Sequence, residues 1–553
     1  MKNSFIRMKD DFIDFYNEIV CKKRYYIFML LFCLIAYGYD LANVTVGMDD
    51  MAFFTFGGDI HYAVKIMRWG IYLIYPLIST IEFSPGINSL FALLLLVISS
   101  ILMSFLFYCF NGKKKNIYLY TILSALFVTY PLINEIWVFS AMSVNILYNG
   151  ISFYLCLALI AILYIYYEDK LSIKSLIISG LILSPVMAGY ESVVFFYITL
   201  VLIVIYNKNF YNKYNKKNDW FLDGLKYALP LFIALIVRYV VGYTLIFIYD
   251  VEANSSLART SWFTLGFKEV IIQILYNGWY YIIRGLSYFP IGEFVIAFII
   301  FVVITIKDAR KAKFNLLLGL FIFLSVFFLS VIQGDYLHYR MAQTVQLFVA
   351  YTGYLLIERN VLNKNTIVVG LLLFVCLRQS ISLHDYLTLN NQRSNNEAYI
   401  AREIGKTIYS EFDKDKTVIF CGEYQLGDFI ESQITIDEDS LGGKVENWLR
   451  EKLDVKQSRK YEEFITSNIN SYFNKQMDAF NGQTMLKRYL SYFGFDINVL
   501  ENLTDEEEDK LKGYYELIAK ENNMKPFEVK DMGDYLLVYL GPTIDNVYKL
   551  KYR

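Results

Sequence analysis

Histidine and cysteine are scarce in this 553-residue sequence, and charge is thin. With only three histidines (His61, His338, His384), a multi-histidine metal centre is not expected. Six cysteines (Cys21, Cys33, Cys109, Cys156, Cys376, Cys421) show no paired spacing, and five lie in or beside apolar runs. That excludes a disulfide framework and a zinc site. Asp, Glu, Lys and Arg make up 19% of the chain, against about 25% in soluble domains. The sequence also lacks a Walker loop, an HExxH pair, a Gly-x-Ser-x-Gly elbow and a dinucleotide fingerprint beside a strand. ATP-driven transport and zinc proteolysis are disfavoured accordingly. No internal repeat is visible, which weakens a secondary-transporter reading. A net charge of −1 gives no basic footprint for nucleic acid.

What is present is apolar and aromatic: 56% hydrophobic residues, 48 tyrosines, 44 phenylalanines and a mean hydropathy of +0.37. The distribution is uneven. Residues 386–553 hold 52 of the 105 charged residues and carry net −8, while residues 1–385 carry net +7. This divides the chain into a membrane body, 1–385, and a soluble domain, 386–553. A helix needs about 20 apolar residues to cross a bilayer. Apolar stretches suited to crossing fall near 24–44, 87–110, 117–133, 148–166, 173–188, 190–207, 223–248, 290–306, 314–332, 341–357 and 365–383. The expected fold is therefore an α-helical integral membrane protein of about 11 transmembrane helices with a small C-terminal α/β soluble domain. Pro185 and Gly189 interrupt the long run 173–207, and 270–289 reads as an interfacial helix or an extra span. The first apolar run follows an amphiphilic charged stretch and lacks a cleavage site, so it is not a signal peptide.

Lysine and arginine alternate from loop to loop as the positive-inside rule requires. Lys22-Lys23-Arg24, Lys113-Lys114-Lys115, Lys208 to Lys217, Lys307 to Lys313 and Arg359 mark one side. The opposite side carries six cations: Lys65, Arg68, Arg259, Lys268, Arg284 and Arg340. With the N-terminus cytoplasmic, an odd span count places the tail outside. In the tail, Asn396–Phe412 has helical periodicity and Thr417–Phe420 reads as a buried strand. Ser458–Asn474 and Thr504–Asn522 read as helices, and Phe527–Lys530 with Tyr535–Leu540 as a hairpin around Met532-Gly533-Asp534.

The loops facing out hold the candidate chemistry. Asp49-Asp50 closely follows the first span, where ionised carboxylates are costly unless solvated or paired. One acid can serve as general base on a hydroxyl while the other orients a ligand or binds a divalent cation. Arg68, Arg284 and Arg340 stand beside aromatic clusters, and a guanidinium fork suits phosphate. Arg238 lies deep in a span. It is either functional there or a structural partner for an acid such as Glu191. Tyr190-Glu191, at a short turn between spans, suits a sugar hydroxyl or a cation. His61 and His338 can exchange protons near neutral pH.

Four stretches carry a family resemblance: GMDDMAFFTFGGDIHYAVKIMRWGIYLI, SPVMAGYESVVFFYITL, GDYLHYRMAQTVQLFVAY, and AYIAREIGKTIYSEF leading into TVIFCGEY. Together the layout resembles membrane glycosyltransferases of the GT-C class, most closely the GtrII-like glucosyltransferases. The resemblance implies transfer of a hexosyl unit, glucosyl by preference, from a polyprenyl-phosphate sugar to a cell-surface glycan on the outer face of the membrane. It implies Asp49 or Asp50 as catalytic base and Arg340, Arg68 and Arg284 as donor-phosphate ligands. Tyr190, Glu191, Asp335 and His338 are the expected acceptor or sugar contacts. No nucleotide site is needed, because the donor is already activated. No cofactor is demanded, and Mg²⁺ or Mn²⁺ is compatible with the acid pair. The competing readings are an exporter or flippase of lipid-linked glycans and a membrane-anchored sensor.

Overall fold

The computed structural model describes residues 2–43, 45, 60–70, 85–131, 150–168, 172–211, 219–252, 262, 265–278, 293–334, 341–360, 365–422, 444, 482–500 and 524–541. The chain divides into two compact units. The first takes in the described residues up to Asn43 and from Ile60 to Leu387, and the second Thr45 and those from Thr388 onward.

The first unit is helical. It begins with α1 (Lys2–Phe15), a π-helical turn over Tyr16–Val20, α2 (Lys23–Ala42) and the short α3 (Ile60–Lys65). Then come α4 (Pro85–Phe110), α5 (Ile117–Val128), α6 (Ile151–Tyr167), α7 (Ile173–Met187), α8 (Glu191–Phe210) and α9 (Asp219–Tyr249). The rest are α10 (Phe267–Gly278), α11 (Glu293–Ala309), α12 (Asn315–Ser325), α13 (Phe328–Gln333), α14 (Gln343–Glu358) and α15 (Asn365–Glu411). Each of the eleven apolar stretches holds a helix. Five of these helices are long and apolar enough to cross a membrane, namely α2, α4, α8, α9 and α15. The protein is thus a membrane-associated helical protein.

Two stretches differ from the expectation. The run 314–332 is two helices, broken by a turn at Val326-Phe327. The last apolar run and the helix expected at Asn396–Phe412 are one continuous 47-residue helix, α15. No Pro or Gly falls between Gly370 and Gly405 to stop it.

Local signals set the ends that matter. Asn116 caps α5 by accepting the Leu119 N–H. Ser172 and Ser175 close a capping box at α7. In an apolar solvent the helices are held by close packing and interhelical hydrogen bonds, the latter averaging about 0.6 kcal/mol each. Packing therefore dominates. Gly180 of α7 lies against Ile233 of α9, Gly319 of α12 against Thr305 of α11, and Gly353 of α14 against Leu126 of α5. Ser124 of α5 joins Ser104 of α4 (2.9 Å) and Tyr25 of α2 (2.8 Å), and Thr199 of α8 meets Ser325 of α12 at 2.9 Å.

One end of the bundle, termed proximal, carries the α1 helix. Asp11 binds Lys113 (2.6 Å) and accepts from Tyr167 (2.8 Å), while the Tyr108 hydroxyl donates to Asp14. Phe15 packs its ring among Phe105, Tyr108 and Tyr120. At the same end Arg359 is 6% exposed and binds Asp308 (3.1 Å), Asn207 (3.1 Å) and the Tyr211 hydroxyl (2.9 Å). Glu358 joins it and takes Lys114 at 3.0 Å. This network ties the ends of α8, α11 and α14 together. The opposite, distal end is where the candidate site lies.

In the second unit β1 (Thr417–Gly422) pairs in parallel with β3 (Tyr535–Gly541), and β2 (Val529–Asp531) pairs antiparallel on its other side, in the order β1-β3-β2. The helix α16 (Gly482–Tyr492) precedes β2 in the chain. Strand alternation divides the core. Phe420, Leu536 and Val538 pack with Ile400, Ile404 and Ile408 of α15 and Leu490 of α16. Ile419, Leu537 and Tyr539 face the other way, toward Met524. The strand expected at Thr417–Phe420 is β1, and the hairpin expected from Phe527–Lys530 and Tyr535–Leu540 is β2 and β3, with β2 starting at Val529. Ser458–Asn474 and Thr504–Asn522 lie outside the described residues.

Candidate functional site

The site begins at the turn between α7 and α8. The helix α7 ends at Met187, the chain turns through Ala188, Gly189 and Tyr190, and α8 starts on Glu191. Gly189 is required there, because a Cβ would overlap the Tyr154 ring. A second segment is clamped onto this turn. After α3, Met67 takes a left-handed φ of 58°, and the Arg68 N–H donates to Ala63 O at 2.7 Å. The Gly70 N–H then donates to Ala188 O at 3.1 Å. A Cβ on Gly70 would stand 2.5 Å from the Pro185 carbonyl oxygen, so the two backbones approach as closely as glycine allows. The Trp69 indole N–H donates to the backbone oxygen of Arg238 on α9 at 3.0 Å.

Three charged side chains meet where these segments cross. Arg68 Nη2 donates to Glu191 Oε2 at 3.0 Å, and Arg238 Nη2 donates to Glu191 Oε1 at 2.9 Å. The Tyr190 ring, 1% exposed, lies 5.6 Å from the Arg68 guanidinium carbon. Side-chain exposures are 17% for Arg68, 12% for Arg238 and 35% for Glu191. One carboxylate is thus shared by two guanidiniums. Each guanidinium has five N–H donors and gives one of them to Glu191. Arg238 Nε is buried and without a hydrogen-bond partner among the described residues. Glu191 and Arg238 each lie 19 residues from the proximal ends of α8 and α9, about 28 Å along the axis. That span is close to the thickness of about 30 Å of a hydrocarbon core. A cationic centre at this depth suits an anionic headgroup whose tail stays in the lipid.

A row of polar contacts crosses the same end. Ser192 donates to Gln343 Oε1 of α14 at 2.7 Å, and Gln346 donates to the Phe127 carbonyl. The Tyr37 hydroxyl of α2 donates to Val128 O at 2.5 Å. Thr129 donates to Gln379 Oε1 of α15 at 3.0 Å, and Gln379 Nε2 donates to Glu293 Oε2 of α11 at 2.7 Å.

Of the residues singled out by sequence, the structure brings Arg68, Tyr190 and Glu191 together. Glu191, read as a contact for sugar or cation, carries two arginine side chains. Its pairing with Arg238 is the structural option the sequence left open. Asp49, Asp50, Arg284, Asp335, His338 and Arg340 lie outside the described residues. The described residues that flank them, Asn43 and Ile60, Glu293, and Gly334 with Met341, stand at the distal ends of their helices. His61 is exposed, with its ring 5.4 Å from that of Tyr249. Sequence reasoning passed over Glu293 and Gln379. Their signal was an acid and an amide inside or at the edge of an apolar stretch.

Fold and site together define a membrane-associated helical protein with a cationic polar centre at one end of its bundle. The chain belongs to the glucosyl transferase GtrII family, which matches residues 38–357 and so includes Arg68, Glu191, Arg238 and Glu293. Neither the curated proteins nor the solved structures returned a match.

Proposed function

We propose that this glucosyltransferase-family protein takes its hexosyl unit from a polyprenyl-phosphate sugar and passes it to a cell-surface glycan on the outer face of the membrane. The observation that carries the reading is the Arg68–Glu191–Arg238 centre, two guanidiniums gathered on one carboxylate at bilayer depth. A lipid phosphodiester bears one negative charge and places it at that level. Asp49 or Asp50 removes the proton from the acceptor hydroxyl, whose oxygen attacks the anomeric carbon. The bond from that carbon to the phosphate oxygen breaks, and its electron pair stays on the lipid phosphate. Arg68 and Arg238, joined by Arg340 and Arg284, stabilise the charge that develops there. In this reading Tyr190 backs the Arg68 guanidinium, Glu191 positions both arginines, and Asp335 and His338 contact sugar. Residues 1–385 form the transferase domain, and 386–553 form an extracytoplasmic α/β domain. The positive-inside pattern supports that orientation, with the proximal end cytoplasmic.

The test is transfer from a purified polyprenyl-phosphate glucose to a glycan by the detergent-solubilised protein. Arg68→Ala and Arg238→Ala are expected to reduce transfer at least tenfold. Equal transfer from a nucleotide-linked glucose with no lipid donor would overturn the reading.

A further inference from the structure

Glu293 is the feature that the phosphate centre does not use. It is half-buried at the distal end of α11, and an ionisable group at such a position in a membrane bundle calls for a function. The residue following it, Phe294, is buried in the apolar core. A simple reason for a carboxylate in the first turn of a helix is the helix dipole, which needs no particular orientation of the side chain. The structure supplies an orientation all the same, using two other helices. Gln379 is 0% exposed and spends its whole amide on the task. Its Nε2 donates to Glu293 Oε2 at 2.7 Å, and its Oε1 accepts from Thr129 at 3.0 Å. With Glu293 ionised, the carboxylate can only accept, and the amide turns its nitrogen toward Glu293 and its oxygen toward Thr129. Thr129 follows the C-terminus of α5; its hydroxyl has one proton, and Ala125 O at 2.9 Å is the other acceptor within its reach. Oε1 of Glu293 has no hydrogen bond among the described residues. The nearby cation is Arg378, whose charge also acts on Glu293. Glu293 on α11 and the Ser192 contact on α8 flank the same helix, α14. A fixed carboxylate with one uncommitted oxygen and an amide neighbour is suited to accept a hydrogen bond from a sugar hydroxyl.

We propose that Glu293 recognises a hydroxyl of a sugar handled by the enzyme, with Gln379 and Thr129 as positioning residues. The proposal rests on the transferase reading above. Its test uses the full-length protein, in two arms. One varies the concentration of polyprenyl-phosphate glucose and compares it with the galactosyl and 2-deoxyglucosyl donors. The other varies the acceptor glycan at saturating donor. Glu293→Gln keeps the shape and removes the charge, and is expected to raise KM in one arm by about 10–100-fold, the worth of a charge-assisted hydrogen bond. The arm that responds tells whether the hydroxyl belongs to donor or acceptor. Thr129→Val is expected to move the same KM in the same direction by a smaller factor, which a merely structural role would not do. Unchanged KM in both arms for a well-folded Glu293→Gln protein, or a fall in kcat alone, overturns the proposal. Absence of transfer by the wild-type protein would fault the donor reading instead.

Discussion

Arg238 of α9 reaches Glu191 of α8 through a 2.9 Å contact between Nη2 and Oε1, while its own backbone oxygen receives the Trp69 indole at 3.0 Å. The same residue thus fixes a charge and anchors the segment that delivers Arg68. The helix that carries it turns Phe232, Ile236, Val240 and Phe247 outward, so the centre lies one helix away from that exposed apolar face.

Removing the carboxylate of Glu191 leaves two guanidiniums facing each other. Breaking a buried pair on one side costs about 3–5 kcal/mol, and the 35% exposure of Glu191 brings the expectation down to about 1–3 kcal/mol. Glu191→Gln is expected to lower the thermal midpoint in detergent and to reduce transfer more than tenfold. A double-mutant cycle with Arg238→Gln checks the pairing, with an expected coupling of about 0.5–3 kcal/mol.

Arg359→Ala strips the cation from Asp308, 5% exposed, and leaves Glu358, 3% exposed, with Lys114 as its cation. The expected loss is about 3–5 kcal/mol, read as a lower midpoint and a smaller monodisperse fraction in size-exclusion chromatography. Because this network sits at the proximal end, kcat of the protein that remains folded should be unchanged.

Gly70→Ala sets a Cβ 2.5 Å from a backbone oxygen that has no side-chain freedom to give way. A cost of about 1–3 kcal/mol is expected from such overpacking, with transfer reduced because Arg68 shifts. Gly224→Ala is the control. Its nearest neighbour is 3.8 Å away, and a mid-helix alanine is favoured over glycine by about 1 kcal/mol. Thermal midpoints of the two variants should move in opposite directions.

In the second unit, Lys416 holds the Asp531 carboxyl below the ordinary carboxylate range, helped by the Gly533 N–H. A carboxyl lowered on folding stabilises above its unfolded pKa of about 3.9 and loses that contribution as pH falls through the lower folded value. Amide-exchange protection of residues 529–541, corrected for intrinsic rates, should be flat from pH 5 to 8 and drop in acid. Asp531→Asn should lower the plateau and flatten the acid limb.

Much of the fold was legible in one dimension. Long apolar runs mark helices because the period and length of such runs are local properties, and the short apolar runs at Thr417–Phe420 and Tyr535–Leu540 mark strands for the same reason. The break at Val326-Phe327 was not legible, because no Gly or Pro falls between Leu320 and Gln333 to signal it. The continuity of α15 was hidden by the opposite effect. Its polar middle, from Asn390 to Asn396, ends the apolar signal without ending the helix. In the site, Arg68 and Glu191 stood out as charges beside apolar spans. Glu293 and Gln379 did not, because a single polar residue at the edge of an apolar window barely changes its average.

The sequence alone determined a membrane-associated helical body, a charged tail with short strand-like runs, and a short roster of polar residues beside the apolar stretches. These follow from composition and from spacing between near neighbours. Only the tertiary structure decided that Arg68 and Arg238 share one carboxylate, and that Thr129, Gln379 and Glu293 form a directed chain across three helices. The residues of each group lie far apart in the chain. Their meeting depends on which helices pack together and at what height, set by close contacts such as Gly70 on Pro185 and Gly180 on Ile233, and no local period encodes that.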